Sequence, residues 1–143
     1  MEAKVTLCGG MRFVGQADSG HAVVMDTGEA SGGEDSGVRP NELLLIGLAG
    51  CTGMDVISVL RKKRQKVSGL ELIVRGELAS DPPKRFVGLA VEYRVRGRGI
   101  DPEAVRRAIE LSETKYCSVG LTLRAPIPIT STFTVLPEED AAP

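Results

Sequence analysis

The sequence predicts an α+β domain in which antiparallel sheets pack around one long buried helix, with a second, shorter helix after it. Three observations carry that prediction. Several short runs alternate polar and apolar residues, the mark of half-buried strands. One stretch, Leu43 to Leu60, is apolar on nearly every helical face. The order of elements is strands, long helix, strands, short helix, strand, without the regular alternation that a parallel sheet requires. The chain has 143 residues, 42% hydrophobic and 26% charged, which supports one packed core and leaves no room for two ordinary domains.

In chain order, Glu2 to Leu7 places Ala3, Val5 and Leu7 on one face of a strand. Cys8-Gly9-Gly10 is a turn. Arg12 to Gln16 and Ala22 to Asp26 are two further strands, joined by the turn residues Asp18-Ser19-Gly20. Thr27 to Pro40 carries four glycines among serines and acids, a composition that buries little and predicts a mobile surface loop. That loop fits a plain connector or a flap beside a site.

Pro40 suits the first turn of a helix. The helix is expected to run to about Gln65, ~37 Å at the standard rise. Gly47, Gly50 and Gly53 recur every third position, each costing about 1 kcal/mol of propensity against Ala, so close approach of another backbone is expected there. Arg61-Lys62-Lys63-Arg64 complements the dipole at the helix end.

Gly69 closes the connection that follows. Leu70 to Leu78 and Phe86 to Val95 form a hairpin around Asp81-Pro82-Pro83, and Gly97 to Gly99 is a turn. Asp101-Pro102-Glu103 starts the second helix, with a carboxylate cap and Pro at the first helical position. Its apolar stripe is Val105, Ala108, Ile109 and Ser112, and it ends before Cys117. Ile127, Ile129, Ser131, Phe133 and Val135 alternate as a last strand. The domain spans residues 1–137, and residues 138–143, Glu138 to Pro143, form a frayed tail. The long helix is apolar on more faces than one small sheet covers, which predicts a homodimer.

Lys and Arg total 18 against 19 Asp and Glu, a balance that argues against nucleic-acid binding. Met1 to Leu7 lacks the basic start and apolar run of a leader. Leu43 to Leu60 has the length of a membrane span, but Thr52, Asp55, Ser58 and three glycines interrupt it. The expected setting is therefore the cytoplasm, with no membrane partner. A single histidine, His21, excludes a multi-His metal site. No phosphate loop, dinucleotide fingerprint or serine nucleophile motif is present. No metal and no cofactor are expected.

Three cysteines, Cys8, Cys51 and Cys117, suit a reducing compartment better than a disulfide scaffold. Cys51 and Cys117 fit small apolar fillers as well as working thiols. Their spacing permits a thiol pair without establishing one.

Pro40-Asn41-Glu42-Leu43-Leu44-Leu45, Ala49-Gly50-Cys51 and the late segment Lys115-Tyr116-Cys117-Ser118-Val119 together resemble the OsmC/Ohr family. Gly20 to Asp26 and Met54 to Gln65 fit its YhfA-like branch. The resemblance runs from Met1 to about Val135. It implies an intertwined homodimer with two sites at the interface and thiol-dependent reduction of organic hydroperoxides. It implies that Cys51 is the peroxidatic thiolate, that Cys117 resolves its sulfenic acid as a disulfide, and that a dithiol, dihydrolipoyl or another thiol, restores the pair. The alternative reading is a non-catalytic dimer of the same fold, a thiol sensor or a binder of small hydrophobic ligands.

Family members place an Arg and a Glu beside the reactive thiol, the Glu ten positions before it. Here position 41 is Asn and the acid is Glu42, nine before Cys51. On a continuous helix ten positions bring a side chain about 80° from the thiol and nine about 180°. Glu42 is the candidate acid, and Arg39 and Arg12 are the candidate cations. Asp55, one turn after Cys51, would raise the thiol's pKa if ionised and close.

Overall fold

The structure, a computed structural model, describes residues 1–132 and Thr134. It is an α+β fold with two antiparallel sheets and three helices, as the order of elements predicts. β1 (Ala3–Leu7), β2 (Phe13–Ala17) and β3 (Ala22–Met25) form the first sheet in sequential order. Val5 stands opposite Gly15, and Gly15 opposite Val23. Helix α1 (Pro40–Lys62) follows. β4 (Lys66–Leu78) and β5 (Phe86–Arg98) form a second, two-stranded sheet, with Leu70 opposite Val95 and Leu72 opposite Tyr93.

The loop between β3 and α1 is exposed over most of its length but is tied at its base. Asp26 is 3% exposed. Its carboxylate accepts hydrogen bonds from the Thr27, Glu34 and Ser36 backbone N–H groups and from the Ser36 hydroxyl, at 2.7–3.1 Å. Those donors, the Ser36 hydroxyl first, hold Asp26 well below the ordinary carboxylate range. The Gly-rich composition predicted the exposure; the ordering comes from one buried carboxylate.

α1 is 23 residues long, about 34 Å, and stops three residues short of the expected end. Arg64 takes a left-handed φ of 57°, which turns the chain into β4. β4 accordingly begins at Lys66, and Gly69 sits at a bulge within the strand instead of closing a loop. β5 likewise runs through Gly97, leaving Gly99 to turn the chain at a φ of 60°.

The Asp101 carboxylate accepts the Glu103 N–H and caps α2 (Pro102–Leu111). A π-helical turn continues from Ser112 to Tyr116. Cys117 then caps α3 (Ser118–Arg124), a helix the sequence reading did not anticipate because its seven residues are too few for a periodic pattern.

The core lies between the C-terminal half of α1, α2 and the β4–β5 hairpin. Val56, Val59, Leu60, Ala104 and Ala108 are buried, with Val67, Leu70, Tyr93 and Val95 packed on them. The expectation that α1 is covered on most sides is met over this half only. Leu44 and Ile46 in the N-terminal half stay 43% and 57% exposed within one chain, and even in the C-terminal half Met54, on the face turned from the core, is 72% exposed. The expected backbone approach at the glycines is corrected too. A Cβ at Gly47 or Gly50 would meet open space, and at Gly53 the Leu72 side chain at 3.1 Å.

The predicted last strand does not form over its described part. Ile127 and Ile129 lie in irregular chain and are 59% and 88% exposed. No strand of this chain runs beside them among the described residues, and alternation without a pairing partner makes no strand. Phe133, Val135 and the tail 138–143 lie outside the described residues.

Candidate active site

α1 places Cys51 and Asp55 one turn apart on one face, with Thr52 beside them. The turn between α2 and α3 carries Cys117 to that face. The two sulfurs and an Asp55 carboxylate oxygen all lie within 4.8 Å of one another. All three cysteines are free thiols. A π-helical turn, Ser112–Tyr116, links α2 to Cys117 at the start of α3.

The two thiols have different surroundings. Burial pushes Cys51 up, but the Val119 N–H, the Cys117 thiol and the Ser118 hydroxyl, 3.8 Å away, outweigh it and leave Cys51 below its ordinary value. Asp55 opposes that shift, as its position one turn away predicts. Cys117 is 2% exposed. Burial pushes it above the ordinary thiol value, although its Sγ accepts the Gly120 N–H at 3.2 Å. The arrangement makes Cys51 the more readily ionised of the pair and keeps Cys117 protonated.

A buried chain of hydroxyls leads to Asp55. The Ser112 hydroxyl donates to the Asp55 carboxylate at 3.0 Å. Ser112 must then accept from Thr52 at 2.7 Å, and Thr52 from the Tyr93 hydroxyl at 2.9 Å. Ser112 is fully buried and Thr52 is 2% exposed, so the chain leaves no buried hydroxyl unsatisfied. A cavity of about 530 Å³ opens beside Cys117. Its walls include Leu44, Leu48, Phe86, Leu89 and Tyr93, with Glu113 and Arg124 as its charged members.

The structure brings Cys51 and Cys117 together and leaves the other sequence candidates apart from them. The Glu42 carboxylate accepts the Arg39 N–H at 2.9 Å, closing the N-terminus of α1. Arg12 pairs with Glu34, and Arg39 with Asp35. The leading influences on Cys51 include no cation. Cys8 and His21 are exposed, away from the cluster. Two sulfurs and one carboxylate would suit a thiophilic ion, but three donors fall short of a closed tetrahedral site.

Sequence reasoning missed Thr52, Tyr93, Ser112 and Arg124. Ser112 left a signal, a hydroxyl on the otherwise apolar stripe of α2. Tyr93 left another, a polar-tipped residue in an alternating apolar strand. Arg124 left none, because its place in the cavity wall depends on α3.

The fold agrees with what the chain resembles. It is 35% identical over 136 residues to Protein YhfA of Escherichia coli K12, covering 95% of this chain and 98% of that one. A solved structure of a hypothetical protein from Aquifex aeolicus VF5 aligns with a TM-score of 0.74 at 29% identity, over 86% of each chain. An organic hydroperoxide resistance protein OsmC from Legionella pneumophila shares the fold, with a TM-score of 0.61 at 18% identity over 86% of this chain and 88% of that one. Residues 33–132 match the model of the OsmC-like protein family. The chain belongs to the OsmC-like family.

Proposed function

We propose that the chain is a thiol peroxidase that reduces organic hydroperoxides through Cys51 and Cys117. One observation carries the reading: two thiols from separate elements, shifted in opposite directions, lie within 4.8 Å of each other and an Asp55 oxygen. The Cys51 thiolate attacks the distal peroxide oxygen, the O–O bond breaks, and the alkoxide leaves with a proton as alcohol. Cys51 becomes a sulfenic acid. Cys117 attacks the sulfenyl sulfur, expels water and forms the disulfide, which a dithiol such as a dihydrolipoyl group reduces by exchange. The largely apolar cavity beside Cys117 suits an alkyl chain.

The working unit in this reading is residues 1–137, assembled as a cytoplasmic homodimer whose second copy covers the apolar N-terminal half of α1. No cofactor takes part. Glu42 contributes from the second copy's side or only as a helix cap, and a substitution separates the two. The lack of a cation among the leading influences on Cys51 favours a second reading, a dimer that senses oxidants or binds small hydrophobic ligands without turnover.

Peptide mapping after stoichiometric cumene hydroperoxide tests the first reading. A Cys51–Cys117 disulfide with Cys8 still reduced is expected. Alkylation in the absence of peroxide is expected to label Cys51 at lower pH than Cys117, in line with their opposite shifts. A disulfide through Cys8, or no disulfide, removes the peroxidase reading. Unchanged thiols with a hydrophobic ligand bound in the cavity would leave the second.

A further inference from the structure

Cys117 poses a chemical problem that its partner does not. Its thiol is almost wholly enclosed, at 2% exposure, yet a resolving cysteine must give up its proton as it forms the S–S bond. A base held beside the thiol takes that proton more directly than solvent arriving through the adjoining cavity. The carboxylate that lies within 4.8 Å of both sulfurs is Asp55. Glu113 shares the cavity wall with Cys117, but the cluster of donor atoms formed with both sulfurs contains Asp55 and not Glu113.

Asp55 is also held in place. One of its oxygens accepts the Ser112 hydroxyl, at the end of the chain that starts at Tyr93. With the Ser112 hydroxyl donating to Asp55, its single proton is spent, so Thr52 donates to Ser112 and Tyr93 to Thr52. Ser112 and Thr52 are buried, which fixes the carboxylate from the side away from solvent while one of its oxygens stays within 4.8 Å of both sulfurs. The present separation suits transfer through one water or after a small closure, the usual state of a base before its substrate is in place.

We infer that Asp55 is the proton acceptor for the resolving thiol Cys117, with Ser112, Thr52 and Tyr93 as its positioning residues. This rests on the peroxidase reading for its physiological step. As Cys117 Sγ bonds to Cys51 Sγ, the Cys117 S–H proton passes to Asp55 and the Cys51 S–O bond breaks. The departing hydroxide takes that proton and leaves as water. The Cys117 sulfur is oxidised, the sulfenyl sulfur is reduced, and Asp55 ends as it began.

A peroxide-free reaction isolates the step. In a Cys8→Ser background, 5,5′-dithiobis(2-nitrobenzoate) converts Cys51 to a mixed disulfide and releases one thionitrobenzoate. Attack by Cys117 then releases a second, which a Cys117→Ser control abolishes. Asp55→Asn keeps the shape and still accepts the Ser112 hydroxyl. It is expected to slow the second release at least tenfold at neutral pH without slowing the first. Ser112→Ala, which keeps the carboxylate but frees it, is expected to slow the second release by a smaller factor.

A charge that merely sits beside the thiols predicts the opposite sign. Its removal would ease ionisation of Cys117 and speed the second release. An unchanged or faster second release in Asp55→Asn overturns the assignment, and so does acceleration in Ser112→Ala if the Asn variant fails to fold. Peroxide that leaves wild-type Cys51 unoxidised would remove the peroxidase reading and leave this result standing.

Discussion

Leu60 and Ile46 lie on the same helix, yet Leu60 is fully buried and Ile46 is 57% exposed. The C-terminal half of α1 finds its cover within the chain, from α2 and the β4–β5 hairpin. The N-terminal half carries the same kind of residues and finds far less. Gly53, in the covered half, faces Leu72 at 3.1 Å; Gly47 and Gly50, in the other, face open space. A helix apolar all round states that something covers it. It does not state whether the cover is the same chain or a second copy.

Substitutions in the two halves test that contrast directly. The largest effect is expected from Leu60→Ala, which opens a cavity in the core and costs about 2–5 kcal/mol, read by denaturant unfolding. Ile46→Asp is expected to leave secondary structure intact and to split a dimer. Sedimentation of the wild type would then give about twice 15.2 kDa, and the variant would give the monomer mass. A well-folded wild-type monomer at micromolar concentration would erase the contrast, leaving the N-terminal half an exposed face with no occupant.

The glycines sharpen it on a smaller scale. Gly53→Ala presses on Leu72 and is expected to cost up to about 2 kcal/mol, the range of mild overpacking. Gly47→Ala meets nothing in its own chain, so helix propensity alone would gain about 1 kcal/mol. A second copy packed closely on that face would reverse the sign, and the loss would appear as weaker dimerisation in a concentration series.

Glu42→Gln is expected to have the smallest effect. The carboxylate caps α1, and acids at a helix start contribute about 0.3–1 kcal/mol. A cap alone predicts a small drop in melting temperature and an unchanged rate of Cys51 oxidation by peroxide. A tenfold slower oxidation at unchanged stability would instead place Glu42 in the thiol chemistry.

Much of the fold was readable because the relevant forces are local. Val87, Leu89, Val91, Tyr93 and Val95 alternate, and a period of two places them on one face whatever packs there. Asp101-Pro102-Glu103 starts a helix through bonds that close within a few residues. The described part of the expected last strand differs for the complementary reason. Ile127 and Ile129 have the period of a strand, but a strand exists only with a partner to bond. The ordering of the loop by Asp26 was equally hidden, since one buried carboxylate binds donors up to ten positions away.

The candidate site divides along the same line. The cysteine-bearing segments Ala49-Gly50-Cys51 and Lys115-Tyr116-Cys117 are legible one by one, and so is the placement of Asp55 one turn beyond Cys51, because helical geometry sets it. That Cys51 and Cys117 meet, 66 positions apart, was decided by the packing of α3 and the π-helical turn on α1. So was the joining of Tyr93, Thr52, Ser112 and Asp55 into one hydrogen-bonded chain. By itself the sequence determined the elements, their faces and the thiols available, since periodicity and capping act within a few residues. Only the tertiary structure decided which thiol is buried and which carboxylate lies beside it, because burial and electrostatics depend on neighbours that the chain brings from afar.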